Sequence, residues 1–272
     1  MSTGFTDPLG GDRIMCGVDG TRASTLAAAQ ATVLAKAHGA ALTFVAVTDA
    51  RGDGPTAMAT LSPERAREAL DTARREARDA GVEAEVELVH DEDVNGALLA
   101  RGDQAGLVVV GAPVGSRAGG IFLGRTATTL LHRCRVPVLA ARRPPDDVPF
   151  PQRLLVATDG SDGSDRAIAL AAAIARAHGA PVGMVHAGAL ADADRRRRMS
   201  EQSVALADAT GAEPTWIEEP EHGPDGIAAA ARSWRAALLV VGARGVTGVR
   251  ALGSVSERVA HQAPCSVLVA RG

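Results

Sequence analysis

Two short motifs in this chain hold chemically useful groups at fixed spacing, and each occurs twice. The first is an aspartate, a glycine and a hydroxyl residue in succession: Asp19-Gly20-Thr21, and again Asp159-Gly160-Ser161. Each follows a short apolar run, so its carboxylate stands at the top of a strand, where it can accept hydrogen bonds from a ribose hydroxyl or an adenine amine. The same three residues equally suit a helix-entry turn, with the aspartate as cap and the glycine supplying a permissive backbone. The second motif is glycine-rich. It reads Gly242-Ala243-Arg244-Gly245, then the seven residues Val246 to Leu252, then Gly253-Ser254-Val255-Ser256. Glycines let a phosphate approach the backbone closely. Gly253-Ser254 also opens a helix, whose unpaired N–H groups and positive dipole end favour an anion. A plain strand-to-helix loop needs one or two glycines, whereas this one has four, Gly248 included, and ends in Gly-Ser.

Other chemistries find little support. Neither half holds a Ser–His–Asp order, a histidine pair at metal-ligand spacing, or the G-x-x-x-x-G-K-[ST] phosphate loop. Lys36 is the only lysine, so the usual lysine clamp of phosphoryl-transfer enzymes is missing and no catalytic or metal-ligating residue is assigned. Cys16, Cys134 and Cys265 are odd in number and far apart, which speaks against a secreted disulfide framework. Four Phe, two Trp and no Tyr leave few platforms for base stacking, and a net charge of −3 attracts neither nucleic acid nor anionic membrane. The four arginines Arg195 to Arg198 are flanked by Asp192 and Asp194, and they read as a solvated helix face or as salt-bridge partners of another domain. The polar N-terminus lacks a signal-peptide pattern, and the longest apolar stretch, Ala167 to Ala175, is too short to span a bilayer. A cytoplasmic protein without membrane or nucleic-acid partners is expected.

The elements that must position these motifs follow from a repeat. Arg13 to Ala40 and Arg153 to Ala180 match without a gap at an offset of 140, and His132 to Arg142 matches His261 to Arg271 at an offset of 129. A period this long is a whole domain copied once rather than a solenoid. The proline-rich stretch between the copies makes residues 144–151 the linker, with domains at 1–143 and 152–272. In the first copy strand signals fall at Ile14–Val18, Leu42–Thr48, Glu85–Val89, Leu107–Val110 and Val136–Ala140. Helical signals lie between them: Ser24–His38, a helix from Ser62-Pro63 to the stop at Gly81, Val94–Gln104 and Thr126–Arg133. The second copy repeats the order, with clear strands at Val182–His186, Leu238–Val241 and Val267–Ala270. Strands apolar on both faces imply a parallel sheet covered by helices on both sides. The predicted fold is therefore α/β: two tandem, doubly wound, five-stranded, Rossmann-like domains.

The Asp-Gly-Ser after the first strand, the Gly-x-x-Gly loop leading to Gly-Ser, and the tail SVSERVAHQAPCSVLVAR together resemble the universal stress protein family, and the resemblance covers both copies. It implies a stress-response regulator that binds ATP, or related AMP or ADP, rather than a metabolic enzyme. Mg²⁺ is expected beside a triphosphate. Carried over residue by residue, the implied nucleotide contacts are Asp159, Gly160, Ser161, Ala187, Gly242, Gly245, Gly253, Ser254 and Val255. The family's ATP-binding loop has nine residues before its final Gly-Ser, against seven here. The first copy departs further: Gly111 and Gly115 are separated by three residues, and Gly124 is followed by Arg125-Thr126. Its weaker candidates are Asp19, Val47, Gly111, Gly115, Gly124 and Thr126, with Arg125 either contacting phosphate, filling the cavity or facing solvent. The family also implies that the copies pair through their last strands and that the chain dimerises further. Two alternatives stay open: a nucleotide-free dimerising interaction module, and slow ATP hydrolysis or autophosphorylation at Ser254 or Ser256.

Overall fold

Strand and helix signals alternate in both halves, and both halves fold accordingly. A computed structural model describes residues 13–48, 61–113, 116–117, 120–121, 123–187, 193–219, 221–243 and 252–271. The first half runs β1 (Arg13–Gly17), α1 (Arg22–His38), β2 (Ala41–Thr48), α2 (Pro63–Asp79), β3 (Ala84–His90), α3 (Val94–Gly102) and β4 (Leu107–Gly111). A small antiparallel pair, β5 (Ser116–Arg117) and β6 (Gly120–Ile121), precedes α4 (Arg125–Arg133) and β7 (Val138–Ala141). The second half runs β8 (Leu154–Ala157), α5 (Asp162–His178), β9 (Val182–Val185), α6 (Ala193–Thr210), β10 (Thr215–Ile217), α7 (Gly223–Ser233), β11 (Leu238–Gly242), α8 (Ser254–Gln262) and β12 (Ser266–Ala270). Two compact units result, one built on residues 11–114 and 123–142, the other on residues 143–272 together with the β5–β6 segment, 115–122. Among the described residues no helix is long and apolar enough to cross a membrane.

Strand order is the same in each unit. In the first it is β7-β4-β1-β2-β3, and in the second β12-β11-β8-β9-β10, with every neighbouring pair parallel. The chain winds outward from the first strand to the second and third. It then crosses back to lay the fourth on the first strand's other side. The winding therefore reverses between β1 and β4, and between β8 and β11, which is where a cleft opens beyond the strand ends. Leu107–Val110 and Leu238–Val241 are buried throughout, as central strands covered on both faces must be.

Local chemistry sets the helix ends. Thr21 and Ser161 cap α1 and α5 by accepting from the N–H groups of Ser24 and Ser164, and both helices stop at a left-handed glycine, Gly39 (φ 65°) and Gly179 (φ 61°). The Ser62 side chain caps α2 and Pro63 opens it, while Ala66, Leu70, Ala73 and Ala77 turn one apolar stripe inward. The expected strand at Val136–Ala140 begins instead at Val138. Pro137 has no N–H for the ladder, although its carbonyl still accepts from Val108 N–H at 3.0 Å.

A close backbone contact in each unit joins the fourth strand to the first helix. A Cβ on Gly111 would lie 2.5 Å from the carbonyl carbon of Ala23, and one on Gly242 would lie 2.6 Å from the carbonyl oxygen of Gly163. Backbone meets backbone at both places, so nothing flexible can yield. Gly111→Ala and Gly242→Ala are each expected to lower the unfolding free energy by about 2–3 kcal/mol, the upper range of overpacking costs. Equilibrium urea unfolding checks this, and midpoints unchanged from the parent would refute the contact.

Candidate functional site

The second unit's cleft starts at the end of β8. Thr158 and Asp159 leave the strand, and Gly160 turns the chain into α5 with φ +74°. Asp159 Oδ1 accepts from Ser161 N–H (3.1 Å), the Ser161 hydroxyl (2.5 Å) and the Ser164 hydroxyl (3.1 Å). The helix-entry turn of Asp-Gly-Ser is present, and one carboxylate oxygen carries it, but Ser161 rather than the expected Asp159 is the helix cap. Behind this turn lies a buried polar network from α6. Gln202 accepts from the Thr158 hydroxyl at 2.5 Å and donates to Asp165 Oδ1 at 2.5 Å, and Thr158 Oγ1 accepts from Gly160 N–H at 3.1 Å. Arg198 closes the arrangement with ion pairs to Asp162 (3.2 Å) and Asp165 (2.7 Å) on the first turn of α5. The arginine run therefore sits on α6 and one member ties that helix to α5 of its own unit.

Across the cleft stands the start of α8. Its N-cap is Gly253, with no side-chain cap, so the first N–H groups of the helix meet no capping oxygen. Two bonds pin this end in place. Gly253 N–H donates to the Ala243 carbonyl at 2.8 Å, and the buried Ser256 hydroxyl donates to the Gly242 carbonyl at 2.6 Å. His186, one residue past β9, has Nδ1 2.9 Å from the Thr158 carbonyl.

These elements enclose a cavity of about 330 Å³, lined by Asp159, Ala187, Gly242, Gly253, Ser254 and Val255 among others. Six sequence-predicted residues therefore meet. Gly160 and Ser161 instead build the turn and the cap, and Gly245 lies outside the described residues. Two details differ from expectation. Gly242 faces the α5 backbone, so its missing side chain is required by packing whether or not a phosphate approaches. The Ala187 carbonyl accepts from Gly223 N–H at 3.2 Å, because α7 starts against this loop. His186, Arg195, Ser164 and Ile227 also line the cavity and escaped sequence reasoning. Arg195 lies in a run that reads as solvated surface; its place one turn before Met199 and two turns before Gln202, both buried, is the signal that could have exposed it.

The first unit repeats the turn and changes the walls. Asp19 Oδ1 accepts from Thr21 N–H (3.0 Å) and the Thr21 hydroxyl (2.6 Å), and Gly20 has φ +73°. A cavity of about 410 Å³ is lined by Asp19, Val47, Gly111, Gly124 and Thr126, bringing five candidates together; Gly115 lies outside the described residues. Gly124 caps α4 at φ 83° and ψ 150°, a backbone only glycine adopts readily, and makes no side-chain cap bond. Val18, Val45, Val94, Leu98 and Val110 make most of this wall apolar. Cys16 lies buried in the strand beneath it, and burial pushes the thiol far above its ordinary range, with the Asp19 carboxylate adding to the effect.

A tandem pair of doubly wound α/β domains, each with an aspartate turn facing an uncapped helix start across the switch point, defines a Rossmann-like class of protein, with its clefts where open α/β sheets place their ligands. Residues 11–142 and 151–271 each match the universal stress protein family, and the chain belongs to that family. A universal stress protein of Mycolicibacterium smegmatis is 27% identical over 300 residues, covering 95% of this chain and 96% of its own. A Thermus aquaticus universal stress protein is 32% identical over 135 residues, covering 43% of this chain and 97% of its own. The crystal structure of a universal stress protein from Archaeoglobus fulgidus aligns over 98% of this chain and 99% of its own, with TM-score 0.76 and 22% identity, so the tandem fold is shared.

Two outcomes follow from the site's packing. Gln202→Ala leaves the buried Thr158 hydroxyl without an acceptor for its proton and should lower unfolding free energy by about 2 kcal/mol, read by urea denaturation; a loss below the error of the midpoint would show the network to be incidental. All three cysteines are buried, so a thiol reagent at pH 8 should label none in the native protein and three after denaturation.

Proposed function

We propose that the second domain binds an adenine nucleotide, ATP or a related AMP or ADP, and that the chain acts as a cytoplasmic stress-response regulator without metabolic catalysis. One observation carries the reading: Asp159 and the uncapped start of α8 face the same cavity from opposite sides of the switch point. Asp159 engages its turn through Oδ1, which leaves its second oxygen for a ribose hydroxyl or adenine amine. Ser254 and Val255, in the first turn of α8, offer backbone N–H groups to a phosphate at the positive end of the helix dipole. Arg195 brings a cation to the same wall. Mg²⁺ would accompany a triphosphate, its waters and the phosphate oxygens supplying most of the coordination.

A second reading has one observation of its own. Ala187, whose backbone the family resemblance assigns to adenosine, has its carbonyl already engaged by Gly223 N–H. A nucleotide-free interaction module would tolerate that.

Thermal unfolding with and without millimolar ATP·Mg²⁺ separates the two. A ligand present at a hundred times its dissociation constant stabilises the native state by about 2.7 kcal/mol, which raises Tm by several degrees. The shift should vanish in Asp159→Ala and in Gly253→Gln. No shift in the parent protein would sink the nucleotide reading and favour the interaction module.

A further inference from the structure

The two copies fill the space behind the aspartate turn differently. In the second unit α6 covers it. The Gln202 amide bonds Thr158, Ser161, Ser164 and Asp165, and Arg198 pairs with Asp162 and Asp165. The counterpart of α6 in the first unit is α2. Leu70, Ala73 and Ala77 are buried on α2, and Met199, Gln202 and Leu206 are buried on α6, at an offset of 129 throughout. At that offset Ala73 stands for Gln202 and Ala69 for Arg198. The glycine contacts agree. A Cβ on Gly20 would lie 3.6 Å from the Ala69 Cβ, and one on Gly160 would lie 3.5 Å from the Arg198 Cβ. Two long polar side chains are thus cut back to methyl groups, and a cavity of about 380 Å³ lies between α1 and α2. Val18, Thr21, Ser24 and Thr25 line it, and these are the repeat equivalents of the four residues that Gln202 bonds. No residue of β4 or α4 takes part in its wall, so it lies on the α2 side of the turn, away from the switch point.

We propose that this cavity binds a small organic cation, a guanidinium or amidinium group carried on a short alkyl chain. Asp19, Glu68 and Glu76 line the cavity against a single cation, Arg65. Among the described residues the side chains of Arg65, Glu68 and Glu76 take part in no ion pair or hydrogen bond, so both glutamates are free to accept. The Thr25 hydroxyl donates to the Thr21 carbonyl and keeps its own lone pairs for a donor. A guanidinium has five N–H donors and no acceptor, which matches a wall of carboxylates and hydroxyl oxygens. Val18, Ala28, Ala69 and Ala73 give the alkyl part an apolar floor. In the second unit the same space already holds donors of this kind, the Arg198 guanidinium and the Gln202 amide. Val18, Asp19, Thr21 and Ser24 line both this cavity and the cleft beyond the strand ends. A bound cation therefore braces from solution the turn that α6 braces in the second domain. The site does not depend on the nucleotide reading.

Calorimetric titration of the full chain with millimolar ethylguanidinium, and with the uncharged ethylurea of similar shape, tests it. The parent should bind one ethylguanidinium per chain and hold ethylurea more weakly by roughly tenfold or more, the size of a charge-assisted hydrogen bond. Glu68→Gln/Glu76→Gln should weaken ethylguanidinium by about tenfold. Ala73→Gln returns the second copy's side chain to the cavity and should abolish binding. Ala69→Arg, at a half-buried position, should do the same and keeps the test readable if Ala73→Gln fails to fold. Asp159→Ala/Gly253→Gln should leave ethylguanidinium binding unchanged. A parent chain that binds no ethylguanidinium would overturn the site, as would binding that survives Ala69→Arg or is lost in Asp159→Ala/Gly253→Gln. Ethylurea bound as tightly as ethylguanidinium would overturn the choice of a cation.

Discussion

In each domain the last residue of the fourth strand lies against the carbonyl group that ends the opening turn of the first helix. Gly111 meets Ala23, and Gly242 meets Gly163, with no room for a Cβ at either contact. The approach brings the first helix down onto the sheet at the one place where the winding reverses, and it brings the strand end and the helix start to the same cleft. The aspartate turn has to fit the short distance that remains. A glycine with positive φ, Gly20 or Gly160, supplies the sharp bend, and the aspartate closes it by accepting from the next hydroxyl residue. The cavity in each unit is what this packing leaves open beyond the strand ends.

Around that shared backbone the copies have diverged in how their walls are held. The second domain stiffens its turn with the buried pair Thr158 and Gln202, which α6 carries behind the site and joins to the half-exposed Asp165 and Arg198. Buried networks of this kind cost a great deal when a member is missing and define one arrangement when all are satisfied. The first domain has Val18 where the second has Thr158, and its cavity is correspondingly more apolar. One turn geometry thus serves two different chemical environments, which is how a duplicated domain can hold its fold while its ligand preference drifts.

The start of α8 shows how structure and function share residues. Ser256 donates to the Gly242 carbonyl and is buried, so its hydroxyl locks the helix to the strand end. Ser254 and Val255 are exposed at the same helix start, where backbone N–H groups have no side-chain cap. The locked residue holds the open ones in place. Membership of the universal stress protein family agrees with this division but does not by itself assign a ligand.

The sequence by itself determined the tandem repeat, the strand and helix order, the α/β class and the helix stops. These depend on local signals: apolar runs of strand length, the Ser62-Pro63 helix start, and glycine stops such as Gly39 and Gly179. It also drew together most of the candidate site, because Asp159, Gly253 and Ser254 sit at strand ends and a helix start that periodicity locates. Only the tertiary structure decided which glycines answer to packing, since the partner of Gly242 is 79 residues away at Gly163. It likewise decided that Arg195 and His186 face the second cleft, that Gly223 takes the Ala187 carbonyl, and that Arg22 and Arg125 share one wall. Each of those facts depends on how distant segments meet, and a residue's spacing along the chain carries no record of what crosses it in space.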